Sequence, residues 1–265
     1  MSSRKLYVMT IAVVLTVFMA SGCTFYNKLK ARDHLNKGVQ AYEAKDYVTA
    51  DEHFTQAIQL DPELLHAWLY KATTYRVQVI PNVYTEDNKK RATDAIKAFQ
   101  DVLKKDDKNI NAIASIASLY TDPLQDHEKA EEWHRTRLRI NPKDPEPLYG
   151  IAVMDFGTVN EKTGQTGENV ENLSPEEKAQ LNEQADAGIA ALKQALEIKP
   201  EYTDAMQYLN LLYREKAKLT EDKAEKQRWL READTLAIEG LKLQRKQQEE
   251  LEMQRKRLKA STTES

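Results

Sequence analysis

Cysteine is almost missing from this sequence: Cys23 is the only one in 265 residues, so no intrachain disulfide can brace the fold. Glycine and proline are scarce as well, with eight of each, about half the roughly 12% that the two make up in an average protein. That scarcity argues against a turn-rich sandwich or barrel. The apolar run near the N-terminus, residues 7–20, has 14 residues, against about 20 for a typical spanning helix. Catalytic signatures are missing too: there is no P-loop, nucleophile elbow, Cys-x-x-Cys or Gly-rich dinucleotide turn. Of the five histidines, only the stretch from His127 to Glu131 comes near a metal motif, and it ends in Glu where a second His is needed on the same helix face. No enzymatic activity, cofactor or metal is expected. What the sequence has in excess is charge, 31% of residues against about 25% ordinarily. Such a profile fits helices with one apolar stripe each.

Arg4 and Lys5 precede the apolar run, and Ala20-Ser21-Gly22-Cys23 closes it. A basic start, a short apolar stretch and a small-residue exit describe a secretory signal peptide. The exit resembles the lipobox of bacterial lipoproteins, although Ala20 stands where that family more often has Leu. An ordinary signal peptide with an incidental cysteine, or an uncleaved anchor, are the alternatives. The resemblance implies lipid attachment at Cys23 after removal of residues 1–22, with 23–30 as a lipidated linker. Thr24 follows in place of the Asp that commonly retains such proteins in the inner membrane, so the resemblance points to the outer membrane, facing the periplasm. Cleavage leaves 37 basic and 42 acidic residues, a net charge of −5. No concentrated basic surface is indicated, which disfavours nucleic acid as a partner.

The remainder repeats itself. Ala50, Phe54, Ala57 and Pro62 stand at offsets of 0, 4, 7 and 12, and the pattern returns at Ala95, Phe99, Val102 and Asp107. It returns again at Ala130, His134, Arg137 and Pro142, then at Gly188, Leu192, Ala195 and Pro200, and fades at Ala233, Ala237 and Gly240. The first three offsets share one helical face, and the proline closes the unit. Each such helix follows another marked seven residues apart, by Trp68 and Tyr75, Ile113 and Tyr120, or Met206 and Tyr213, and weakly by Leu148 and Asp155. With Gly38 in the first copy, the pattern resembles the tetratricopeptide repeat, a helix–turn–helix of about 34 residues. The fold class is therefore all-α: a helical-hairpin solenoid of about five units with insertions, spanning 31–64, 65–109, 110–144, 145–202 and 203–240. The small residues let paired helices approach, and Phe54, Phe99 and Leu192 fill the space between units.

Three insertions interrupt the repeat. Tyr75 to Ala95 and Tyr213 to Ala233 are each about three helical turns longer than the regular spacing. Pro81-Asn82 makes the first partly a loop, and Thr220 before Glu221-Asp222 reads as a turn into another helix. Residues 156–172 hold Gly157, Gly164 and Gly167 and read as a mobile loop. Ser174-Pro175-Glu176-Glu177 then reads as a capping box opening a helix to about Lys199. Residues 241–265 form a charged helical tail, fraying at 261–265.

The resemblance implies a concave groove lined by the first helices of successive repeats. Its lining would be Leu35, Val39, Tyr42, His66, Leu69, Thr73 and Arg76, continued by Asn111, Ala114, Ser118, Tyr149, Val153, Gln207, Leu211 and Arg214. The carboxylate clamp of some relatives is not evident, since Leu35 and Leu69 stand where its basic groups would begin. A mixed apolar and polar lining suits an extended or helical peptide. The expected function is that of a membrane-anchored scaffold binding protein or peptide partners of the bacterial cell envelope. The alternative is a structural component of an envelope transport, pilus or outer-membrane assembly machine that docks through its insertions and tail. Oligomeric state is not readable from the sequence.

Overall fold

A computed structural model describes residues 24–263; the leader and Cys23 lie outside the described residues. Among the described residues the regular structure is helical throughout. Helix α1 covers 24–43, followed by α2 (Tyr47–Leu60), α3 (Leu65–Arg76), α4 (Glu86–Leu103), α5 (Ile110–Thr121) and α6 (His127–Ile140). Then come α7 (Pro145–Thr163), a 3-10 turn (Val170–Asn172), α8 (Pro175–Ile198), α9 (Thr203–Leu219) and α10 (Lys223–Thr263). The chain divides into two compact units between Trp133 and His134, within α6.

The hairpins are set by short, local hydrogen bonds. Asp46 accepts from the Thr49 amide at 3.2 Å to open α2, and Asp126 from the Lys129 amide at 3.1 Å to open α6. The residues just before them, Lys45 and Gln125, hold positive φ angles of 62° and 51° and so reverse the chain. Between hairpins one turn recurs four times: the amides of Leu64, Asn109, Asp144 and Tyr202 donate to the carbonyls of Asp61, Asp106, Asn141 and Lys199 at 3.0–3.2 Å. Pro62, Pro142 and Pro200 occupy the second position of that turn, where the fixed φ of proline is already suitable, and Asp107 takes the place in the fourth.

In the first unit Ala50, Phe54 and Ala57 are wholly buried, as are Ala95 and Val102, with Phe99 nearly so. A Cβ on Gly38 of α1 would stand 2.5 Å from Phe54 Cε1, so that ring takes the space of an absent side chain. Asn88 organises the first insertion: its Oδ1 accepts from the Ile80 amide at 2.8 Å, and its Nδ2 donates to the carbonyls of Ile80 and Val83 at 2.8 and 2.6 Å. With every polar atom of the buried amide satisfied, residues 77–85 are tied to α4 without an apolar core of their own.

In the second unit α8 packs between α7 and α9. The Gly188 Cβ position lies 2.8 Å from Leu212 and 3.1 Å from Asp155, so α8 approaches both neighbours through this glycine. The capping box at Ser174 and Glu177 is present, and α8 ends at Ile198. Three sequence expectations need correction. Residues 24–30 belong to α1 rather than to a linker. The segment 156–172 is not one loop, because α7 runs through Gly157 to Thr163. Only the residues after Thr163 turn, and they are held: Glu168 accepts from the amides of Gln165 and Thr166 at 3.2 and 2.8 Å. The backbone amides it accepts from, its own first among them, bring its carboxyl down to about 2. Finally, the tail is no separate element, since α10 passes through Gly240 to Thr263. A glycine costs about 1 kcal/mol in a helix, too little to break one followed by Leu241-Lys242-Leu243-Gln244-Arg245.

One contact makes the first hairpin sensitive to acid. The Nδ1 atoms of His34 and His53 are 3.2 Å apart, so one ring must accept while the other donates. Burial first, then the neighbouring His53, Lys37 and Lys30, lowers the His34 pKa below its ordinary 6.5, against the opposing pull of Asp33. The folded state therefore binds fewer protons than the unfolded chain. This contribution is complete above about pH 6.5 and is lost as pH falls through the lowered folded value. Urea unfolding of the first unit should show a lower midpoint at pH 5 than at pH 7.5, and His34→Gln should shrink that difference. Equal pH dependence in wild type and variant would dismiss the contact as its source.

Candidate partner-binding groove

Within the first unit, helices α1, α3 and α5 wall two adjoining hollows. One, of about 480 Å³, is lined by Leu35, Asn36, Val39, Gln40, His66 and Tyr70. The other, of about 430 Å³, is lined by His66, Leu69, Tyr70, Thr73, Arg76, Asn111, Ala114 and Ser115, with Phe99 also contributing. Leu35, Val39, His66, Leu69, Thr73, Arg76, Asn111 and Ala114 are thus brought together, and His66 and Tyr70 belong to both hollows. Among the described residues of the lining, Arg76 is the only Lys or Arg, and no Asp or Glu joins it. The Thr73 hydroxyl is already used, donating to the Leu69 carbonyl at 2.8 Å. Behind the groove, the Lys71 ammonium donates to the Thr55 hydroxyl at 2.6 Å and pins α3 to α2.

Other expected lining residues are placed differently. Tyr42 packs against Tyr47 and Tyr70 with ring centroids 5.8 and 6.3 Å away and lines neither hollow. Burial, above all, raises its phenol pKa. Ser118 is exposed on α5, beyond the second hollow.

In the second unit Tyr149 meets Tyr202 and Tyr208 at 5.3 and 5.5 Å. Burial first and then Tyr208 push its phenol up to about 12. Val153 and Leu211 are half-buried, and Gln207 is exposed. Arg214 is engaged within the unit, donating to Asn210 Oδ1 at 2.9 Å and to Asp234 Oδ1 of α10 at 2.7 Å. A hollow of about 300 Å³ in this unit lies between α9 and α10, where Leu209, Tyr213, Arg231, Glu232, Thr235 and Leu236 line it.

No family model matches the sequence, and no curated protein matches it. Solved structures do resemble it in shape. The MamA protein superimposes with a TM-score of 0.55 at 14% identity, covering 80% of this chain and 94% of its own. MamA from Desulfovibrio magneticus RS-1, residue 41 to its end, gives 0.55 at 14% identity, covering 82% and 97%. YrrB, described as a TPR protein with an unusual peptide-binding site, gives 0.51 at 14% identity, covering 86% and 97%. The chain has the tetratricopeptide-repeat fold.

In the first unit α1, α3 and α5, the first helices of their repeats, wall the hollows, and a helix presents neighbours at i+3 and i+4 together. Assigning roughly one residue per turn therefore overlooked Tyr70, four after His66, and Ser115, four after Asn111. Asn36 and Gln40 are the i+1 companions of Leu35 and Val39. Placing the repeat's first helices on a helical wheel with two residues per turn would have found all four.

Proposed function

We propose that this tetratricopeptide-repeat chain is a lipid-anchored scaffold of the bacterial cell envelope, placed at the outer membrane and facing the periplasm. Its groove takes an extended or helical segment of a partner protein. The observation that carries this reading is the pair of adjoining hollows across α1, α3 and α5, with apolar walls and one charged group, Arg76. Leu35, Val39, Leu69 and Tyr70 favour apolar side chains of the partner, and Arg76 with Asn111 favours an acidic or carbonyl group among them. The sequence before residue 24, with its short apolar run and the Ala20–Cys23 exit, supports attachment to a membrane. A second reading has support in α10, whose exposed Leu241, Leu251 and Met253 would let the tail dock into a larger envelope machine.

Crosslinking in the native membrane, followed by purification of the full chain, identifies the partner. Arg76→Glu, at an exposed position, should then weaken that partner's segment about ten- to a hundredfold, corresponding to roughly 1.4–2.8 kcal/mol. Leu69→Glu should do at least as much, with circular dichroism verifying that the repeat still folds. Undiminished affinity in both variants would remove the groove as the working surface, and loss on truncation after Leu241 would favour the tail. Metabolic acyl labelling, abolished by Cys23→Ser, tests the anchor separately.

A further inference from the structure

Two turns of helix α1 precede its first buried residue. Every residue from 24 to 30 is exposed, and burial begins at Ala31. Three large apolar side chains sit on these exposed turns, Phe25, Tyr26 and Leu29, at 72%, 55% and 59% exposure. At 100° per residue they fall within an arc of about 100°, roughly opposite Ala31 and Gly38, which face the hairpin. The same arc carries Asp33, Asn36 and Gln40 farther along, so its apolar character stops after Leu29. Lys28, Lys30 and Arg32 are the charged residues between 24 and 32, with no acid among them, in a chain whose overall charge is −3. The Lys30 ammonium stands 4.9 Å from the centre of the Tyr26 ring.

The seven exposed residues make about 10 Å of helix, and a helix lying along a bilayer buries its apolar side about 5–10 Å into the boundary of headgroups and acyl chains. The sequence immediately before residue 24 is the apolar run and Cys23. A lipidated cysteine and a retained anchor both deliver residue 24 to a bilayer surface. We propose that residues 24–32 are a membrane foot: Phe25, Tyr26 and Leu29 enter the boundary between headgroups and acyl chains, and Lys28, Lys30 and Arg32 contact lipid phosphates. The foot rests on the membrane attachment proposed above but not on which form that attachment takes. It fixes the start of α1 at the membrane surface, with Leu35, where the groove begins, about 16 Å along the helix from residue 24.

The test uses the full chain, made with its leader in a Gram-negative host and reconstituted in phosphatidylethanolamine–phosphatidylglycerol vesicles. p-Benzoylphenylalanine replaces Phe25, Leu29 or Asn36 in three separate proteins, which are irradiated and examined by mass spectrometry. Phospholipid adducts should form at 25 and 29 with at least fivefold the yield at 36, and the Lys28→Glu/Lys30→Glu/Arg32→Glu variant should cut that yield severalfold. Adducts to residues 7–20 of the same chain, to a second copy, or equal yields at all three positions would overturn the foot. The mass of the N-terminal peptide in the same sample reports lipidation independently. An acylated Cys23 without lipid adducts at 25 and 29 removes the foot alone. Lipid adducts at those positions with an unmodified Cys23 keep the foot and remove the lipoprotein reading.

Discussion

Replacing Glu215 by Ala should cost the second unit about 3–5 kcal/mol, the usual consequence of stripping one partner from a buried charge network. Glu215 is 2% exposed on α9. Its Oε1 accepts from Asn160 Nδ2 at 2.8 Å and from the Lys218 ammonium at 2.7 Å, and its Oε2 accepts from the Thr163 hydroxyl at 2.7 Å. Lys218 also donates to the Gly164 carbonyl at 2.8 Å. One carboxylate thus joins the last turn of α7, the turn after it and α9. Alanine would leave three donors facing an empty space, whereas Glu215→Leu with Lys218→Met removes the charges together and should recover only part of the loss, because the Asn160 amide and the Thr163 hydroxyl still lack their acceptor. Urea unfolding reports this through Trp229, which stacks on Tyr213 at 5.4 Å, once Trp68 and Trp133 are changed to Phe. A loss within the roughly 0.5 kcal/mol of an ordinary surface substitution would mean that the network is not a structural tie. Limited proteolysis should show residues 164–174 opening first, because the Lys218 contact to Gly164 loosens with the carboxylate.

The repeat was legible where backbone geometry leaves few choices. Ala50, Ala95, Ala130, Gly188 and Ala233 are all buried, because a close helix pair admits only small residues at that point. The proline turns were legible for the same reason. Less legible was how the third copy tolerates His134 and Arg137 at two packing positions. His134 lies over Gly150, whose Cβ position is 2.6 Å from the imidazole. Arg137 reaches Asp144 at 2.6 Å, the residue that also caps α7. Both compensations come from the following helix, and nothing in the spacing of one repeat announces them. The glycines at 157 and 240 misled in the opposite direction: composition signals a break, whereas the burial of Val159 and Thr163 carries α7 through it and the helix formers after Gly240 carry α10. In the first unit most residues lining the two hollows are ones the repeat pattern names. In the second unit the same pattern falls on side chains already engaged, Tyr149 by Tyr202 and Tyr208 and Arg214 by Asp234 of α10, and nothing in the repeat pattern names those partners.

Phe54 connects this packing to the groove, and Phe54→Ala should destabilise the first unit by about 3–5 kcal/mol. The ring is fully buried and stacks on Tyr70 at 5.5 Å with planes 19° apart. Tyr70 belongs to both hollows, so the cavity left by Phe54 also frees a wall of the groove, and partner affinity should fall with stability. Gly38 supplies the decisive comparison. In the wild type an added methyl would meet Phe54 Cε1 at 2.5 Å, so Gly38→Ala should destabilise despite the roughly 1 kcal/mol by which alanine favours a helix. In the Phe54→Ala background the obstruction is gone, and the same methyl fills part of the cavity while keeping its helical advantage. The sign of Gly38→Ala should therefore reverse between the two backgrounds, a coupling that a double-mutant cycle measures directly. Additive effects would mean that the glycine is not there to admit the ring, and that the contact between α1 and α2 is set by something other than these two residues.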